Sequence, residues 1–252
     1  MEQLKDFSKT TTIDTAFTLL PIFTCSNITK DIRIEKKING IDFRFTGKSL
    51  NMGIDLKVFA ALFKQEKETI ETSLNSFLYA CGYNTKEIRK ENKEVVIESL
   101  TRLKQANVFI KRDNNILMFS FINRIETDGI NIKIDLSKDL VNYFRKKEHK
   151  TFLDVKKLDE KWGKKMYHKK LDLFFKNFST FHHKINFSED NIFDNLGMEN
   201  NSKNRFELKK IIEDFILIGD ILSYSYENGT VKITFKNSKF NLKNKKKIEP
   251  TV

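Results

Sequence analysis

The segment Ser202-Lys203-Asn204-Arg205-Phe206-Glu207-Leu208-Lys209-Lys210 gathers side chains that suit a nucleic acid. Asparagine and arginine are shaped for two-point hydrogen bonding to the major-groove edges of adenine and guanine, which makes Asn204 and Arg205 candidate base readers. Lysine acts as a point charge against phosphate, a role open to Lys203, Lys209 and Lys210. A second set stands earlier in the chain. Lys90, Asn92, Lys93 and Arg102 share one segment and Lys111 and Arg112 follow it, but Glu91, Glu94 and Glu98 are interleaved and weaken the positive field. That set reads as phosphate and protein contact more than base reading.

Enzymatic chemistry fits the residues less well. Gly47-Lys48-Ser49 ends like a phosphate-binding loop, but such a loop needs a glycine five positions earlier, where the chain has Asp42. Tyr167-His168-Lys169-Lys170 matches the Tyr-x-x-Lys of rolling-circle nicking enzymes, whose tyrosine attacks DNA beside two metal-binding histidines separated by one apolar residue. Here His182 and His183 are adjacent and follow the tyrosine, so Tyr167 reads as a helix residue and a nicking enzyme is the alternative from another class. His149, His168, His182 and His183 lack metal-ligand spacing, and Cys25 and Cys81 form no Cys-x-x-Cys pair. No catalytic residue, metal or cofactor is expected.

Behind each candidate set lies a helix that must hold it. Leu208, Ile211, Ile212, Phe215 and Ile218 recur at helical spacing and leave the polar set, Asn204 included, off the core stripe. Val96, Leu100 and Leu103 do the same for the first set. Each helix is followed by an expected hairpin, at residues 108–119 and, around the turn Asn228-Gly229, at residues 221–233; residues 130–135 add a closing strand to the first. Each is preceded by an apolar helix, a strand and a short helix. In the first copy these are a helix carrying Ile54, Val58, Ala61 and Leu62, a strand at 69–72 and a helix at 74–81. In the second they are one long helix over 155–178, a strand at 184–187 and a Ser188-capped helix ending near Gly197. Helix, strand, short helix, basic helix and hairpin is the order of a winged helix, and the chain states it twice. Ile32-Arg33-Ile34-Glu35-Lys36 and Ile41-Asp42-Phe43-Arg44-Phe45 alternate about Asn39-Gly40 and add an N-terminal β-hairpin.

The fold class expected is therefore α+β, with two tandem winged-helix domains behind that hairpin. The division is an arm at 1–30, a first domain at 31–144, a charged break at 145–151, a second domain at 150–236 and a basic tail at 237–252. A chain of 252 residues with net charge +12 suits two domains and a polyanionic partner. Two cysteines without a disulfide framework fit a reducing cytoplasm. Residues 15–25 are apolar, but Asp6 and Asp14 precede them and Pro21 interrupts them, so they read as a packing segment rather than a signal peptide. No run approaches the ~18 apolar residues of a membrane span. Most of the 23 phenylalanines, among them Phe59, Phe119, Phe174 and Phe215, fall on apolar faces and read as core; Phe240 in the tail has no such place.

This architecture resembles the iteron-binding replication initiators of bacterial plasmids, most closely the IncQ-type initiator. The matching stretches are Phe43-Arg44-Phe45-Thr46-Gly47-Lys48-Ser49-Leu50, Ile97-Glu98-Ser99-Leu100-Thr101-Arg102-Leu103 and residues 208–219. The resemblance implies double-stranded DNA with tandem origin repeats as partner, help in opening an AT-rich tract, recruitment of a replicative helicase and a part in copy control. It also implies a homodimer in equilibrium with a DNA-bound monomer, with dimerisation and backbone contacts in the first domain and the principal DNA reader in the second. A winged-helix transcription regulator is the alternative within DNA binding.

Overall fold

The computed structural model describes residues 11–14, 22–26, 28–38, 41–112, 114–145, 150–179 and 182–236. Its helices and sheets make a mixed α+β fold in two units, Met1–Met166 and Tyr167–Val252. The expected turn at Asn39-Gly40, most of the arm, His149, the tail and Phe240 lie outside the described residues.

In the first unit, β1 (Thr11–Asp14) pairs antiparallel with β11 (Lys150–Leu153), and β2 (Phe23–Thr24) pairs parallel with β5 (Leu50–Asn51). The alternating segments form β3 (Asp31–Ile38) and β4 (Ile41–Lys48). They are joined by β7 (Asn107–Arg112) and β8 (Asn115–Ser120) in a four-stranded sheet of order β3-β4-β7-β8. A separate sheet of order β6-β10-β9 is built from β6 (Thr69–Ser73), β9 (Ile122–Thr127) and β10 (Asn131–Leu136). This corrects the sequence reading of the first hairpin. The strands at 107–120 extend the N-terminal hairpin, while β9 and β10 close against the strand that follows the first helix. Alternation marks a strand but not its partner, and both hairpins alternate. The turn between β9 and β10 is tied by Asp128, whose carboxylate accepts from the backbone N–H groups of Ile130 and Asn131 and sits below its ordinary pKa for that reason.

The helices of this unit are α1 (Ile54–Lys64), α2 (Leu74–Ala80), α3 (Lys90–Gln105), α4 (Lys138–Arg145) and α5 (Val155–Trp162). Val58, Ala61 and Leu62 of α1 and Val96, Leu100 and Leu103 of α3 are buried as their spacing requires. Phe23, Phe45, Phe59, Phe63, Phe119 and Phe121 form an aromatic core, with the Phe59 and Phe121 rings edge to face at 5.4 Å. Gly47 lies within β4, where a Cβ would stand 2.8 Å from the Gln105 carbonyl oxygen; glycine lets the end of α3 approach that strand and does not open a phosphate loop.

The sequence joined residues 155–178 into one helix. The chain instead breaks at Gly163, whose φ of +54° lies in the left-handed region, and α6 (Met166–Ser179) starts afresh. α5 belongs with the first unit, since Lys57 of α1 forms a 2.6 Å ion pair with Asp159.

The second unit runs α6, β12 (Lys184–Ser188), α7 (Glu189–Leu196), α8 (Ser202–Leu217), β13 (Ile221–Glu227) and β14 (Thr230–Phe235), with sheet order β12-β14-β13. The pairing repeats that of β6-β10-β9: first strand, last strand, middle strand. Asn228 and Gly229 both have positive φ, as a tight two-residue hairpin turn demands. Gly197 is left-handed and ends α7 as expected, whereas Ser188 stands at the N-cap without a side-chain capping bond. The Phe175 ring meets Phe215 and Phe235, each at 5.6 Å, and Phe174 meets Phe187 at 5.3 Å. His168 Nε2 lies 2.8 Å from Asp214 Oδ2 and ties α6 to α8.

A buried polar tie in the first unit joins α1 to α3. Asp55 is 0% exposed and its carboxylate accepts from Arg102 Nη2 at 2.8 Å and Nε at 3.0 Å, and from the Asn51 N–H at 2.6 Å. Arg102→Ala would leave that carboxylate buried and uncompensated, so it should lower unfolding stability by about 3–5 kcal/mol in urea titration. Unchanged stability would show that the pair does not hold the two helices.

Candidate nucleic-acid interface

The apolar stripe of α8 sets the rotation of the helix and thereby what faces outward. Leu208, Ile211, Ile212 and Phe215 are buried, so at about 100° per residue the opposite face carries Lys203, Phe206, Lys210, Glu213 and Leu217. Ile218, placed on the stripe by spacing, lies past the last helical residue and is exposed.

Asn204 falls on the inner side. Its Nδ2 donates to the Glu199 carbonyl at 2.9 Å, and its backbone N–H is capped by Asn201 Oδ1, also at 2.9 Å. The first unit repeats this device. Asn92 Nδ2 donates to the Glu87 carbonyl at 2.6 Å, and the stripe Val96, Ser99, Leu100, Leu103 has the spacing of Leu208, Ile211, Ile212, Phe215. Both asparagines therefore stitch their helix start to the preceding loop, contrary to the sequence placement of Asn204 off the core side.

Arg205 lies on the flank that faces the β13–β14 hairpin. Its Nε is 3.2 Å from Glu189 Oε2, a carboxylate whose side chain is 7% exposed at the start of α7. Tyr226 of β13 shares this corner: its hydroxyl is buried without a described hydrogen-bond partner, and burial, reinforced by Glu189 and Tyr224, raises its pKa while Arg205 opposes the rise. Lys209 Nζ sits 5.0 Å from the Tyr226 ring centroid. Lys210 Nζ sits 4.3 Å from the Phe206 centroid and 3.7 Å from Glu207. Lys203 is exposed.

The sequence reading passed over Phe206, Glu189 and Tyr226. Phe206 carried a signal, since it lies off the apolar stripe of its own helix; the other two are recruited by packing that no local pattern encodes.

In the first unit the sites disperse. Lys90 is exposed and within 3.9 Å of Glu94, Lys93 is half-buried, and the positions matching Phe206 and Lys210 are Glu94 and Glu98. Arg102 pairs with Asp55 and is only 16% exposed. Lys111 and Arg112 end β7 on the hairpin expected to carry them, but that hairpin belongs to the four-stranded sheet, with Lys111 opposite Asp42. The outer face of this sheet also presents Arg44, whose guanidinium carbon is 4.8 Å from the Phe109 centroid, beside exposed Ile116 and Met118 on β8.

Tyr167 is the second residue of α6, and His183 Nδ1 is 2.8 Å from the Phe235 carbonyl oxygen. Among the described residues no three His, Cys, Asp or Glu side chains converge as a metal site, and no helix is long and apolar enough to cross a membrane.

No protein-family model matches the chain, and no curated protein matches it in sequence. Among solved structures it is similar to a crystal structure of domains 2 and 3 of RctB, with a TM-score of 0.51 and 12% identity over 85% of this chain and 94% of that one. At that identity the likeness is one of fold.

The Asn204 geometry gives a direct expectation. Asn204→Ala should cost about 1 kcal/mol of stability, read by urea unfolding, through loss of a helix-start bond. It should leave the order of preferred DNA sequences unchanged; a shift in preference at one base pair would restore Asn204 as a reader.

Proposed function

We propose that this chain is a sequence-specific duplex-binding protein built from two winged helices, and that it acts as a replication initiator on tandem origin repeats. The observation that carries the reading is the outward face of α8: Lys203 and Lys210 on the crest, Arg205 and Lys209 on the flank, beside a tight hairpin. A helix lodged in the major groove brings the side chains of its first turns to base edges, and a hairpin beside it reaches the adjoining backbone. The β6-β10-β9 and β12-β14-β13 sheets, each with one helix before its first strand and two between that strand and the closing hairpin, support the winged-helix assignment for both units. The fold likeness to domains 2 and 3 of RctB, spanning two consecutive domains of one protein, is consistent with it.

The units differ in what they offer. Arg205 pairs with buried Glu189 while its own side chain stays 49% exposed, open to a base edge or phosphate. With Glu94 and Glu98 on its crest, α3 is a poor groove reader, so the first unit contributes backbone and protein contacts. Exposed Ile116 and Met118 on the edge strand β8 support a homodimer contact there. Recruitment of a replicative helicase, plasmid copy control and a cytoplasmic location belong to the same proposal and rest on the family resemblance. The proposal assigns no catalytic step to Tyr167, because His182 and His183 are adjacent and follow it, whereas the nicking enzymes separate their two metal-binding histidines by one apolar residue.

The decisive experiment is footprinting of the full chain on DNA flanking its gene. Protection of direct repeats beside an AT-rich tract, about two helical turns per chain, is expected if both units dock roughly 34–36 Å apart; protection of a lone palindrome would favour a regulator. With ~8 phosphates contacted, the slope of log K against log salt should be near −7, and a slope near −2 would exclude tandem docking.

Within α8, Arg205→Ala should weaken binding by about 1–3 kcal/mol and relax preference at one base pair, whereas Lys209→Ala should weaken all sequences alike. Competition binding with cognate and scrambled duplexes distinguishes the two. Equal losses on both for Arg205→Ala would remove its reading role.

A further inference from the structure

Phe206 occupies the centre of the outward face of α8, 58% exposed, where a soluble helix ordinarily carries a charge. It is not left over from the core, because the buried stripe of that helix is complete without it. Lys203 and Lys210 stand on the same face, one turn to either side, and Lys210 Nζ lies 4.3 Å from the ring centroid. The ring is thus braced by a cation, with Lys203 one turn before it, while the nearby carboxylates are engaged, Glu207 with Lys210 at 3.7 Å and Glu213 with the Tyr224 hydroxyl at 3.2 Å. An apolar protein partner would meet those ammonium groups at a desolvation cost, whereas a DNA groove lined by phosphates welcomes them. Within the major groove the one apolar group that a base presents is the C5-methyl of thymine.

We infer that Phe206 is a specificity-determining residue that reads a thymine methyl in the major groove. The inference rests on the duplex-binding role proposed for α8 and deepens it. Lys203 and Lys210 hold the flanking phosphates, which sets the depth of the helix, and the ring then closes on the methyl. The matching position in α3 is Glu94, a side chain that makes no such contact. The discrimination therefore belongs to the second unit.

Duplexes enriched from a random-sequence pool by the full chain serve as the probe, whatever the natural site is. Each is resynthesised with every thymine in turn replaced by deoxyuridine, which removes the methyl and keeps the hydrogen-bonding edge. At least one replacement should weaken binding about four-fold, the worth of one buried methyl. That loss should vanish in Phe206→Ala and survive in part in Phe206→Leu, which keeps an apolar contact. Indifference to every replacement, or an equal loss in wild type and Phe206→Ala, would overturn the inference while leaving duplex binding intact. Failure to enrich any duplex would instead overturn the duplex-binding proposal, and this inference with it.

Discussion

Burial of one apolar stripe on each long helix governs the arrangement of everything polar around it. Leu208, Ile211, Ile212 and Phe215 must face the core of the second unit, as Val96, Ser99, Leu100 and Leu103 must in the first. Each fully buried large side chain is worth about 1.5–3 kcal/mol, far more than a surface ion pair of about 0–1 kcal/mol. The stripe therefore wins any competition over helix rotation. Once rotation is set, Asn92 and Asn204 are turned inward toward loop carbonyls, and Phe206 and Lys210 are turned out. The two helices share a frame and differ on the crest, where one carries Glu94 and Glu98 and the other an aromatic ring and a cation.

A second constraint is the pairing of strands. The first unit has two consecutive hairpins, and the short strand β6 can accept only one of them on its paired edge. It takes β10, which leaves β7 to close on β4 and enlarges the N-terminal hairpin into a four-stranded sheet. Gly47 is part of that choice, since a side chain there would collide with the end of α3. The result leaves β8 as an edge with Ile116 and Met118 exposed.

Charge follows the same division. A net charge of +12 is spread along the chain, yet the cations differ in what they can reach. Arg102 neutralises Asp55 inside the first unit, Lys57 anchors α5, and Arg205 is oriented by a carboxylate that packing has buried. Lys203, Lys209 and Lys210 retain exposed charge beside the β13–β14 hairpin. Positive charge stays exposed where the fold leaves it beside that hairpin, and becomes internal structure where a buried carboxylate meets it.

The order of amino acids alone dictates the local grammar: the helix stripes, the alternating strands, the Asn228-Gly229 turn, and the core positions of Phe59, Phe119, Phe174 and Phe215. These depend on neighbours three or four residues away, and such periodicity is written into the chain directly. Partnership is settled only in three dimensions: which hairpin β6 takes, where Gly163 divides two helices, and which side chain meets which. Asp55 and Arg102 lie 47 positions apart, and Glu189 reaches Arg205 only because the folded unit brings the start of α7 beside the first turn of α8. Pairings of that kind are selected by the packing free energy of the whole core, of which no single segment carries more than a part.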